Sequence, residues 1–213
     1  MGMGGAFCHS RVGLRTEYLS DEWFELINRC AAKGKRDGME MWLYDEDRYP
    51  SGTAGGMVTE NRELGIHYLR LNKAQGEFKF SEEVISAFIL EFKEGKIARK
   101  ERIFADAAVP AGCEIWYFTS EIMNSGSFYN GNPYADNANP ETVERFIELT
   151  HKRYVEKCGD YIKDGTIKGI FTDEPHHGGV MNGFAISNEN GTHLVPLPKD
   201  LFKHFKAEYG YEL

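Results

Sequence analysis

Short apolar runs that stop abruptly at polar or charged residues do most to limit what this sequence can become. Met3–His9 is one such run, broken by glycines. Met39–Tyr44 is a second and ends at Asp45-Glu46-Asp47. Ile167–Thr172 is another and ends at Asp173-Glu174-Pro175. Runs of four to eight apolar residues bounded by turn formers read as buried strands. Between the first two lies a helical pattern. Ser20 is placed to cap it, with Asp21 and Glu22 in the first turn, where the helix dipole favours anions. Trp23, Phe24, Leu26, Ile27, Cys30 and Ala31 follow at helical spacing, and Gly34 and Gly38 supply stop signals. A strand, a helix and a strand in that order predict a βαβ unit, the building block of parallel sheets.

The rest of the chain extends the pattern. Tyr49–Gly56 is a loop by composition. From about Asn61 to Gly112 the pattern turns β-rich. His67–Leu71 alternates like a strand, and Ala87–Phe92 and Lys96–Ile103 flank Glu94-Gly95 as a hairpin. Glu114–Ser120 reads as a third core strand. Asn139-Pro140-Glu141 starts a helix whose inner face would be Val143, Phe146, Ile147, Thr150, Tyr154 and Cys158. Ile167–Thr172 is the fourth strand, and a last helix is expected near Lys199–Tyr209. Long loops follow the carboxyl ends of strands, as in a (β/α)8 TIM barrel. A whole barrel takes about 250 residues and eight strands, so the 213 residues are expected to form about its first half. The fold class predicted is α/β, a partial TIM barrel over 1–213 with a small β-hairpin insertion at 61–112.

Composition narrows the ligand. The net charge is −8, and Lys and Arg are scattered along the chain. That excludes the basic footprint of a nucleic-acid binder and disfavours anionic membranes. No run approaches the roughly 18 apolar residues of a membrane span. Met1–Ser10 lacks the charged and apolar regions of a signal peptide. A cytoplasmic location is expected, or a secreted or periplasmic one if the sequence is the truncated part of a longer chain. Cys8, Cys30, Cys113 and Cys158 show no C-x-x-C spacing, so no zinc or redox site is read. Cys30 and Cys158 are expected to be buried hydrophobes.

Three motifs could carry chemistry. FTDEP, Phe171–Pro175, places two acids where a strand ends, and the proline stiffens the exit. A partly desolvated carboxyl there can act as a general acid. Glu174 is the candidate catalytic residue; the competing reading is a solvated loop acid. YDED, Tyr44–Asp47, offers oxygens suited to sugar hydroxyls or calcium, although the EF-hand pattern is not met. HSR, His9–Arg11, ends the first strand. Asp173 with His9, His176 and His177 also suggests a metal-dependent hydrolase, but neither a His-x-His strand nor an HExxH helix is present.

GMGGAFCHSRVGL (2–14), WLYDEDRYPSGTAGG (42–56), NPETVERFIELTHKRY (139–154) and GIFTDEP (169–175) together resemble large bacterial glycoside hydrolases of the α-L-rhamnosidase type. The resemblance covers most of the chain outside the β insertion. It implies a TIM-barrel catalytic domain flanked by β-rich modules, and glycoside hydrolysis by two carboxylates. Glu174 matches the acid/base Glu of an Asn-Glu-Pro motif after the fourth strand, with Asp173 where Asn would stand. The partner carboxylate belongs to a later strand, which this sequence lacks. The group also includes calcium-dependent members, for which no ligand set is read on these residues. The expected function is therefore hydrolysis of an O-glycosidic bond in an α-L-rhamnoside or related plant or bacterial glycan. His9, Arg11, Tyr44, Asp45, Glu46, Asp47, Asp173 and His176 would hold the carbohydrate. The other class to weigh is a non-catalytic carbohydrate-binding or inactive barrel fragment. A half-barrel leaves strand edges open and needs the missing C-terminal half or an oligomeric partner.

Overall fold

The structure is a computed structural model and describes residues 2–11, 13–124, 127–176 and 194–213. In chain order the strands and helices are β1 (Gly5–Cys8), α1 (Asp21–Asp37), β2 (Glu40–Tyr44), β3 (His67–Lys73), β4 (Glu77–Phe78), β5 (Val84–Lys93), β6 (Lys96–Ile103), β7 (Ala107–Ala108), β8 (Cys113–Ile122), α2 (Pro140–Ile147), α3 (Arg153–Lys163), β9 (Ile167–Phe171), β10 (Leu194–Pro196) and α4 (Leu201–Tyr209). They divide into two units: Met1–Ile66 with Asn124–His177, and His67–Met123 with Gly178–Leu213.

The first unit is built on a parallel sheet in the order β1-β2-β9. Helix α1 connects β1 to β2. The Ser20 side chain accepts a hydrogen bond from the Trp23 N–H at 3.2 Å, and Gly38 closes the helix in the left-handed region at φ 68°. Gly34 does not stop the helix as its residue type suggested. It lies inside α1 because a Cβ there would come within 2.6 Å of the Met41 side chain. The helix therefore packs close on β2. Met41 and Leu43 point to this side and join Trp23, Phe24, Ile27, Ala31, Phe146, Tyr154, Cys158 and Ile167 in one buried core. Burying each large side chain contributes roughly 1.5–3 kcal/mol. Trp42 and Tyr44 alternate to the opposite face, where they meet the rings of Phe7 and Phe171.

Asn139 caps α2, accepting from the Glu141 N–H at 3.1 Å, with Pro140 in the first helical position. One wide turn of π-helix, Glu148–Lys152, separates α2 from α3. The extra residue in that turn rotates the helix face. Phe146, Thr150, Tyr154 and Cys158 are buried as expected, but Val143 and Ile147 are exposed. Cys30 is likewise exposed, against the sequence reading, while Cys158 is buried.

The second unit holds a five-stranded antiparallel sheet in the order β10-β3-β8-β5-β6 and the two-stranded pair β4-β7. β5 and β6 turn at Glu94 and Gly95, both with positive φ. Phe78, Val84, Ala87 and Ile115 form its core.

The molecule is not a TIM barrel, nor its first half. Among the described residues its sheets have three, five and two strands, and the regular alternation of strand and helix that a barrel needs is absent. Glu114–Ser120, read as a third barrel strand, lies inside β8, between β3 and β5 in the antiparallel sheet. An apolar run carries no mark of parallel or antiparallel pairing. Here β3 and β5, distant in sequence, supply antiparallel partners on its two sides, and no helix lies between β3 and β8 to make a parallel crossover.

Candidate functional site

Because β1, β2 and β9 run parallel, their carboxyl ends lie on one side of the sheet. The register sets Cys8 opposite Leu43 and Tyr44 opposite Phe171. The next residues of each strand therefore converge: His9 and Ser10, then Asp45, Glu46 and Asp47, then Thr172, Asp173 and Glu174. His9 Nε2 is 3.2 Å from Glu46 Oε1, and its ring stacks on Tyr44 with centroids 3.7 Å apart. The Tyr44 hydroxyl donates to Asp173 Oδ2 at 2.6 Å. The Ser10 hydroxyl donates to Asp47 Oδ1 at 2.5 Å. Three of the sequence motifs thus form one cluster of side chains.

Within it the acids have different environments. Asp45 is fully buried, and both of its oxygens are used. Oδ1 accepts from the Ser51 hydroxyl at 2.6 Å and Oδ2 from the Thr172 hydroxyl at 2.6 Å. His151 Nε2 lies 3.2 Å from the same Oδ2. The Ser51 hydroxyl also accepts from the Asp173 main-chain N–H at 2.9 Å, and the Ser51 N–H donates to the Asp173 carbonyl at 2.9 Å. Asp45 is therefore a brace that ties the strand ends to the 49–53 loop.

Glu46 is the chemically unusual member. Its side chain is 1% exposed, and Oε2 is buried without a hydrogen-bond partner. Burial, and then the neighbouring Asp173 carboxylate, push its pKa up to about 7, with Arg11 opposing. Burial, helped by the charge of Arg11, holds His9 below the usual histidine range. Near neutral pH this centre therefore pairs a neutral imidazole with a carboxyl group that keeps its proton part of the time. Burial, and the hydrogen bond given to Asp173, raise the Tyr44 hydroxyl further, so it remains a donor.

Glu174 has an exposed side chain and a left-handed backbone at φ 36°, a costly conformation for a non-glycine residue before proline. The Tyr49 hydroxyl donates to its Oε2, and this bond is the main reason that Tyr49 is pushed up to about 12. Arg11 is exposed and, with Asp47 and Arg48, borders a cavity beside the cluster. Asp47 pairs with Arg48 at 3.1 Å. His176 stacks on Tyr134 at 4.5 Å, and its main-chain N–H and C=O bond to Tyr134 and Asn137. His177 lies outside the described residues.

Ser51, Tyr49, Thr172 and His151 were not singled out in the sequence. Thr172 is within FTDEP and Ser51 within the loop after YDED, so adjacency was their only signal. His151 had none, because the π-turn that presents it is not visible as a periodicity.

Among the described residues no group of three or more His, Cys, Asp or Glu side chains is arranged to hold a metal ion. Calcium fits this cluster poorly. Both Asp45 oxygens are taken by hydroxyls, and Glu46 keeps its proton part of the time near neutral pH. No helix among the described residues is long and apolar enough to cross a membrane.

No protein-family model matches the chain. No curated protein and no solved structure matches it either, so the likeness to rhamnosidase-type enzymes rests on the sequence motifs alone.

Proposed function

We propose that the chain contributes a glycoside-hydrolysing centre in which Glu46 is the proton donor and Glu174 the second carboxylate. The observation that carries this reading is the buried Glu46 carboxyl, raised to about 7 beside the Asp173 carboxylate. A buried carboxyl whose pKa lies near neutral can give up its proton at the pH where the site works. Glu46 gives its proton to the leaving oxygen as the glycosidic C–O bond breaks. Glu174, exposed and held by Tyr49, takes the proton of the attacking water. Asp173, Tyr44 and His9 fix the donor through the contacts described above.

The test is release of chromophore from a panel of aryl glycosides. Glu46→Gln and Glu174→Gln should each lower turnover by about 10²–10⁴-fold, the usual contribution of a general acid or base. The rate of the unaltered chain should fall as pH rises through about 7, when Glu46 loses its proton. A folded chain that binds sugars but releases nothing from any glycoside would overturn the reading in favour of a binding module.

A further inference from the structure

A cavity of about 260 Å³ lies in the first unit beside the acid cluster, bordered by Arg11, Arg15, Arg48, Glu17, Asp47 and Asn130 among others. Its charge runs against that of the chain. Three guanidiniums face two carboxylates there, whereas the whole sequence carries −8.

The three arginines differ in how they are held. Arg48 is fixed: its Nε pairs with Asp47 at 3.1 Å, and a terminal nitrogen donates to Asn130 Oδ1 at 3.3 Å. Asn130 is anchored in turn, donating to the Gly55 carbonyl at 2.6 Å. Asp47 is thereby neutralised by Arg48 and occupied by Ser10. Glu17, the other acid, is exposed on the rim. Arg11 and Arg15 are exposed, and no ion pair or side-chain hydrogen bond engages either of them among the described residues. Two unpaired guanidinium forks beside a fixed third suit a planar or tetrahedral oxyanion, which arginine binds bidentately.

We propose that this cavity is a subsite for an anionic substituent, a carboxylate or sulfate ester, on the sugar handled by the neighbouring acids. The proposal rests on the glycan reading given above and names the substrate class within it. Arg11 is the link between the two, because it borders the cavity and its charge also reaches His9 and Glu46.

The experiment is a ligand-observed NMR titration of the full chain with methyl α-D-glucuronide, methyl α-D-glucoside 6-sulfate and the uncharged methyl α-D-glucoside. One or both charged sugars should bind at least tenfold more tightly than the uncharged one. Arg15→Gln should remove most of that preference, as should the double change Arg11→Gln with Arg15→Gln. The preference should also weaken as salt rises from 50 to 500 mM. Equal affinity for all three sugars overturns the proposal, and so does a preference that both variants retain. Circular dichroism of each variant guards against misfolding, and both arginines are exposed enough for the fold to tolerate the change. The titration does not depend on turnover. A charged-sugar preference in Glu46→Gln with no hydrolysis in the unaltered chain would leave this subsite standing and remove the hydrolase. Hydrolysis without the preference would do the reverse.

Discussion

The proton on Glu46 couples the candidate centre to the stability of the fold. Its ordinary value is 4.5, and the folded chain raises it to about 7. Between those values the folded state binds a proton that the unfolded state has released. This contribution to stability is complete below about pH 4.5 and is lost as pH rises through about 7. At full extent the loss is about 3 kcal/mol. Glu46→Gln replaces the acid by a neutral group of the same shape and should abolish the loss. Thermal midpoints at pH 5 and pH 8 check this: the unaltered chain should fall relative to the variant at the higher pH. Parallel behaviour of the two would show that Glu46 ionises normally. At this scale the sequence was informative about which residues gather, since His9, Tyr44, Glu46, Asp47 and Asp173 all converge. It was silent on their division of labour. Burial decides that, and burial is set by loop 49–53 and its Ser51–Asp45 bond, which no local pattern encodes.

Elements were legible where their signals are local. Ser20, Asn139 and Pro140 mark helix starts through backbone chemistry that needs no tertiary context. Gly34 shows the limit of such signals. A glycine near a helix end reads as a terminator, yet here it is a packing notch against Met41. Gly34→Ala should gain up to about 1 kcal/mol in helix propensity and lose about 1–3 kcal/mol in overpacking. The expected net result is a less stable chain, measured by urea denaturation. A more stable variant would mean that Met41 moves aside freely. The π-turn at Glu148–Lys152 is a second case. It keeps Phe146, Thr150, Tyr154 and Cys158 on one buried line, while Val143 and Ile147, each next to a buried residue of α2, face out.

At the scale of the whole molecule, the βαβ opening was read correctly as a parallel pair, and its extension into a barrel was not. The decisive information was long-range. Glu114–Ser120 has the composition of a buried strand in either kind of sheet, and β3 and β5 on its two sides claim it for the antiparallel one. Ile115, with no exposed surface, is the centre of that sheet's core. Ile115→Ala should cost about 2–5 kcal/mol and speed amide hydrogen exchange along β5 and β8. Unchanged exchange there would contradict the placement.

One feature of the parallel sheet lends itself to optical measurement. Gly169 has no side chain, and a Cβ at that position would lie 2.8 Å from the ring of Trp42. The indole therefore rests against the backbone of β9, a few residues before Asp173 and Glu174. Emission from Trp42 should respond when that strand's end shifts or loses water, so occupancy of the acid centre can be followed by fluorescence without a label.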